Sequence, residues 1–126
     1  MRIADTDPLE YDRYTFGRYL KSRVEELDIS PAQILAYTGF FPEQFKQLTD
    51  GGLLIDRPDI LVEFAKLLHV DDIGKFFEMA YVAKNGVSRQ TISYLAENDL
   101  ARKFINQATK EAWDEQTWKK IFKLLK

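Results

Sequence analysis

The segment from Ile29 to Gly52, ISPAQILAYTGFFPEQFKQLTDGG, constrains this chain more than any other. Ser30-Pro31-Ala32-Gln33 has the form of a capping box. The serine is placed to accept the N–H of residue 33, the glutamine to return an acceptor to the serine's own N–H, and the proline sits where a missing N–H costs nothing. Ile29 and Ile34 flank the box as a hydrophobic staple. The helix so begun runs to Thr38, where Gly39 supplies a left-handed turn. A second short helix starts at Pro42 and ends near Asp50, stopped by Gly51-Gly52, with Phe45 and Leu48 as its inward residues.

Helical signals continue on both sides, and no alternating strand pattern or hairpin dipeptide interrupts them. Asp7-Pro8-Leu9-Glu10 reads as an N-cap, a proline at N1 and a glutamate at N3. From Thr15 a helix carries the stripe Phe16, Leu20, Val24 and Leu27. Leu53 to Arg57 reads as a loop. Pro58 opens a helix with the stripe Leu61, Phe64, Ala65 and Leu68. Asp71 or Asp72 caps another, with Phe76, Phe77 and Ala80, running to about Lys84. Asn85-Gly86 breaks the pattern and is the expected boundary between residues 1–84 and residues 85–126. Ser88 to Glu97 follows with no assignment. Asn98 caps a helix with Leu100, Phe104, Ile105 and Ala108, and Asp114 caps the last, with Trp113 and Trp118 as its staple. That helix has the stripe Trp118, Ile121, Phe122 and Leu125, and Lys119, Lys120, Lys123 and Lys126 crowd its end, which suits the negative pole of the helix dipole.

Composition narrows the functional classes. The chain is 45% hydrophobic, enough for a core, and has no cysteine, which excludes disulfides, thiolate metal sites and a cysteine nucleophile. His69 is the one histidine and cannot build a histidine metal site or a paired relay; at a helix end it reads as a C-terminal cap. Ser30 has no adjacent base, the two acids Asp71 and Asp72 suit a helix start, and Gly51-Gly52 lacks the following residues of a phosphate loop. The expectation is therefore no enzyme, no catalytic residue, no cofactor and no metal. No apolar run reaches the ~20 residues of a membrane span, and no signal peptide is legible at the N-terminus, so a soluble, cytoplasmic protein is expected. The formal charge of −2 is uneven: residues 1–30 carry −2, residues 31–72 carry −4 and residues 73–126 carry +4. Phosphate neutralisation drives most nucleic-acid affinity, so the middle third is the least DNA-like by charge.

Three consecutive segments, FGRYLKSRVEELDIS, TGFFPEQFKQLTDG and RPDILVEFAKLLHV, resemble in order and spacing the phage repressor and Cro type of helix-turn-helix domain, the XRE family. The resemblance covers Thr15 to Phe77. It implies an all-α fold, a five-helix lambda-repressor-like helix-turn-helix domain plus a helical C-terminal extension. It also implies a DNA-binding transcriptional regulator that acts as a homodimer on double-stranded DNA, its third helix in the major groove. Carried over by position, the reading face is Phe41, Pro42, Glu43, Gln44, Lys46 and Gln47, with Arg18, Lys21, Arg23 and Arg57 as flanking phosphate contacts. The chain departs from the family at Pro31, where a phosphate-anchoring glutamine is common, at Leu35, where the helices cross on an alanine, and at Phe41, where a serine or threonine usually caps the recognition helix. The tail from Ile92 resembles those of some family members carried on mobile elements and has a natural job in dimerisation. The alternative is the same fold used as a protein–protein interaction module (antirepressor, antitoxin-like or adaptor), favoured by the acidic middle third and by the adjacent Phe40 and Phe41.

Overall fold

A computed structural model describes residues 2–125. Among them are eight α-helices, two 3-10 turns and no strand, so the chain is all-helical. The helices are α1 (Thr15–Glu26), α2 (Pro31–Thr38), α3 (Pro42–Thr49), α4 (Pro58–Leu67), α5 (Ile73–Asn85), α6 (Arg89–Glu97), α7 (Asp99–Lys110) and α8 (Glu115–Leu124); the 3-10 turns, Ile3–Asp5 and Pro8–Glu10, precede α1. No helix among the described residues is long and apolar enough to cross a membrane.

The starts follow local chemistry. Ser30 Oγ accepts from Gln33 N–H at 3.2 Å while Gln33 Oε1 accepts from Ser30 N–H at 2.8 Å, completing the box. Asp72 caps α5 through Lys75 N–H at 3.0 Å, Asn98 caps α7 through Ala101 N–H at 2.8 Å, and Asp114 caps α8 through Thr117 N–H at 2.9 Å. Among the ends, Gly39 and Gly86 take left-handed φ of 77° and 85°. Asp28, His69 and Ala112 do the same at φ 52°, 51° and 50° without being glycine. Each is followed by an apolar residue whose N–H reaches back into the helix: Ile29 to Val24 O, Val70 to Ala65 O and Trp113 to Ala108 O, each at 3.0 Å. That is the Schellman pattern, and it gives His69 its place as a helix end.

The chain divides into two compact units between Thr91 and Ile92. The boundary expected at Asn85-Gly86 ends α5, but the chain stays with the first unit beyond it. Glu78 Oε1 accepts the N–H of Arg89 at 2.8 Å, and the Arg89 guanidinium lies 4.5 Å over the Tyr81 ring. In the first unit α1 packs on α3 and α5, α2 on α4, and α4 on α5. Two aromatic nodes hold it: Phe76 meets Phe16 at 5.3 Å and Tyr19 at 6.0 Å, and Phe64 meets Phe40 at 5.4 Å and Phe45 at 6.3 Å. Phe64 and Phe76 are fully buried, each contributing about 2–3 kcal/mol of apolar burial.

The two adjacent acids divide the work. Asp72 caps α5, while Asp71 accepts the N–H of Ile3 at 3.1 Å and of Ala4 at 3.0 Å. Lys75 Nζ donates to Ala4 O at 2.6 Å and Thr6 O at 2.7 Å, so the N-terminal segment is strapped down with Ile3 fully buried. In the second unit, which takes in most of α6 together with α7 and α8, Trp113 meets Trp118 edge-on at 5.3 Å, the contact expected of the staple, and Phe104 joins them at 5.4 and 6.3 Å. Lys126 lies outside the described residues.

Candidate nucleic-acid interface

α3 is built to face two ways. Leu48 is buried and Phe45 half-buried, which leaves Phe41, Pro42, Glu43, Gln44, Lys46 and Gln47 all exposed. The adjacent aromatics part company: Phe40 turns its edge to Phe64 in the core, while Phe41 stays 58% exposed at the N-cap. A phenylalanine has no side-chain acceptor, so only the returning half of a capping box exists here, with Gln44 Oε1 accepting from Phe41 N–H at 2.9 Å. Gln44 thereby keeps its amide N–H groups for another partner while its oxygen holds the helix start. Glu43 stands in the first turn, where the helix dipole favours an acid.

The helix is braced from behind by a contact absent from the sequence reading. A Cβ added to Gly17 of α1 would lie 2.3 Å from Thr49 O, the backbone at the end of α3, so only glycine lets the two helices approach this closely. The Tyr14 ring covers Gly51, and Gln47 O accepts from the N–H groups of Gly52 at 2.8 Å and Leu53 at 3.2 Å, closing the end of α3. α2 and α3 make their main contacts with other helices, α2 with α4 and α3 with α1, and Leu35 is half-buried.

The four flanking cations fare differently. Arg23 has a structural job: its Nε and Nη2 donate to Leu68 O at 3.2 and 2.8 Å, filling a carbonyl at the end of α4, and Nη1 pairs with Glu26 at 2.9 Å. Its guanidinium is therefore already committed within the fold. Arg18 pairs with Asp12 at 3.3 Å and Arg57 with Asp59 at 2.7 Å, both at exposed positions. The backbone N–H of Tyr14, helped by Arg18, holds the Asp12 carboxyl below its ordinary value, so it is ionised at neutral pH. Lys21 and Lys46 are exposed. Lys21 sits one turn along α1 from Gly17, the residue that touches α3.

Three further exposed apolar side chains are Tyr37 on α2, Leu54 in the loop after α3 and Tyr14 at the start of α1. Tyr37 falls off the stripe of Ile34 and Thr38 that buries α2, and that offset was the available sequence signal. Among the described residues no group of three or more His, Asp or Glu is placed to hold a metal ion. Comparison with protein-family models, with curated proteins and with solved structures gives no match.

Proposed function

We propose that this protein is a DNA-binding transcriptional regulator of the helix-turn-helix kind, acting without catalysis in the cytoplasm as a dimer on a two-fold operator. The observation that carries the reading is the exposure of six neighbouring side chains, Phe41 to Gln44 with Lys46 and Gln47, on a helix clamped from behind at Gly17. In the major groove Gln47 pairs bidentately with adenine, Glu43 accepts from a cytosine amine, Lys46 reaches guanine or phosphate, and Phe41 meets a thymine methyl. Gln44 reads through its amide N–H groups, its oxygen being held by the helix start.

The charge distribution sets a quantitative expectation. Lys21 and Lys46 are the ready phosphate contacts, while Arg18 and Arg57 must first exchange Asp12 and Asp59. With about two to four phosphates per protomer, log K should fall with log salt at a slope of roughly −2 to −4 per protomer, shallow for a DNA reader. A gel shift against fragments from the gene's own upstream region, repeated across salt concentrations, is the direct test. No shift at micromolar protein and low salt sinks the reading.

A second reading has its own support. Phe41, Tyr37 and Leu54 are exposed, and residues 31–72 carry a net charge of −4. Such a surface suits a protein partner, and the fold would then be an interaction module. Gln47→Ala separates the two: it relaxes sequence preference in a DNA reader and leaves a protein contact centred on Phe41 nearly intact.

A further inference from the structure

We propose that α8 is an interfacial helix that lays its apolar arc on an anionic lipid bilayer. This goes beyond the DNA reading and does not rest on it. From Gln116 to Lys126 the sequence is QTWKKIFKLLK, with four lysines and no acid. At roughly 100° per residue Leu124, Ile121, Leu125, Trp118 and Phe122 fill an arc of about 160°, and Lys119, Lys120 and Lys123 all fall outside it. Leu124 and Leu125 are 85% and 78% exposed. Lys120 and Lys123 are exposed too, with no acidic partner among the described residues, while Lys119 pairs with Glu115 at 3.3 Å across the first turn. A short helix with lysines on one face and tryptophan, phenylalanine and leucine on the other has the composition of a surface-lying membrane binder.

Geometry and charge together select a bilayer as the occupant. A partner helix covers a stripe of about 100°. Leu124 and Leu125 already stand about 100° apart around the axis, and Phe122, also exposed, lies about 60° further, so one partner helix leaves part of the arc wet. The boundary between lipid headgroups and acyl chains receives the whole arc at once, at a depth of about 5–10 Å. Lysine stems run along that boundary and carry their ammonium groups to the lipid phosphates, and a tryptophan placed as Trp118 is sits at headgroup level. The acids Glu111, Asp114 and Glu115 are confined to the turn before α8 and its first residue. From Glu115 to Leu124 the helix rises about 13 Å, more than the ~8 Å over which physiological salt screens a charge, so the acids do not cancel the attraction at the far end. With 10 residues α8 is too short to span a core of about 30 Å, and the surface is its place.

The test is co-sedimentation of the full chain with phosphatidylglycerol vesicles and with phosphatidylcholine vesicles at about 0.1 M salt, together with intrinsic fluorescence. Trp113 and Trp118 are the two tryptophans of the chain and both lie in the second unit, so a blue shift reports on that unit alone. The expected result is binding and a blue shift on phosphatidylglycerol, at least about tenfold weaker on phosphatidylcholine and weakening as salt rises. Leu124→Gln and Leu125→Gln remove apolar surface without adding charge, at side chains too exposed to unfold the helix, and each should weaken binding by about tenfold. Lys120→Gln and Lys123→Gln should each weaken it by about fivefold. Circular dichroism checks that each variant keeps its helix content. No binding to phosphatidylglycerol overturns the inference, as does equal binding to both lipids. Binding that survives both leucine substitutions is adsorption of a cationic surface and overturns it too, as does capture of an acidic amphipathic peptide, or self-association, with vesicles left unbound. The gel shift is read separately: a shift without vesicle binding removes this inference alone, and vesicle binding without a shift removes the DNA reading alone.

Discussion

The two units put the same kind of amphipathic helix to opposite uses. In the first, the stripes of α1, α4 and α5 converge, and Leu20, Phe64, Leu68, Phe76 and Met79 are fully buried. In the second, α7 and α8 are as clearly two-faced, yet Leu100, Leu124 and Leu125 point to solvent and, among the described residues, Ala108 alone is buried. A layer of helices needs a second layer to cover its apolar side. The first unit supplies that layer from its own sequence. In the second, helices of 12 and 10 residues, too short to be stable alone, are held by end caps and by the Phe104, Trp113 and Trp118 cluster.

The largest effect that could break this contrast is truncation at the centre of each unit's apolar face. Phe64→Ala should cost about 3–5 kcal/mol, because it empties the node shared with Phe40 and Phe45. Leu125→Ala, at a side chain 78% exposed, should stay within about 0.5 kcal/mol. Urea midpoints of the two variants check this, and similar losses would erase the distinction. Next in size is Gly17→Ala, expected to cost about 2–3 kcal/mol since the new methyl meets backbone at Thr49 rather than a yielding side chain. It should also displace α3, so loss of the α3 function at a temperature where the variant is still folded is the sharper readout. A variant with wild-type melting and function would mean the helices can part without consequence.

What could be read from the sequence and what could not divides along the same physical line. Ser30, Asn98, Asp114, Gly39 and Gly86 act within a few residues of themselves, so their types and spacing announced them. Asp71 and Asp72 looked interchangeable because a helix start accepts either; the choice was made by the N-H groups of Ile3 and Ala4, far away in sequence. Gly17 gave no local sign, since its reason is a helix that arrives later in the chain. Arg23 looked like any exposed helical cation, and only the fold brings Leu68 O to it. α6 has a weak sequence signal because its start at Ser88, which accepts from Thr91 N–H at 3.1 Å, lacks the glutamate or glutamine that completes a capping box. For the α3 face, the outward positions were those implied by the resemblance to repressor-like domains, while the split between Phe40 and Phe41 needed the position of Phe64.

A smaller effect tests how the first unit closes on its N-terminal segment. Burial works against ionisation of Asp71, yet the N–H groups of Ala4 and Ile3, with Arg2, hold its carboxyl below the ordinary value. A depressed folded value stabilises fully above the unfolded pKa of about 3.9 and is lost as pH falls through the folded one. Asp71→Asn should therefore cost about 1.5 kcal/mol at neutral pH and progressively less in acid, the two proteins converging once Asp71 is protonated in both states. Urea midpoints at neutral and acid pH measure this. A gap that is equal at both would assign the loss to packing rather than to the carboxylate. Asp12 and Asp114 are depressed too, chiefly by backbone N–H donors, so part of the acid slope should survive the substitution.

The smallest effect bears most directly on what the exposed surfaces are for. Phe41 occupies an N-cap with extended backbone and offers nothing to the N–H groups of α3. A serine there can accept from residue 44, completing the box that Gln44 half makes, so Phe41→Ser should raise stability by about 1 kcal/mol. Little packing is lost in return, since the ring is already 58% exposed. Thermal melting of the variant reads the gain. The same protein then tests the use of the ring: if Phe41 touches a thymine methyl or a partner, binding should fall while the melting temperature rises. Opposite signs in the two measurements would make Phe41 a residue kept for contact at a cost to the fold. Matching gains in both would show the ring to be idle, and the contrast between a closed first unit and an open second one would then be complete.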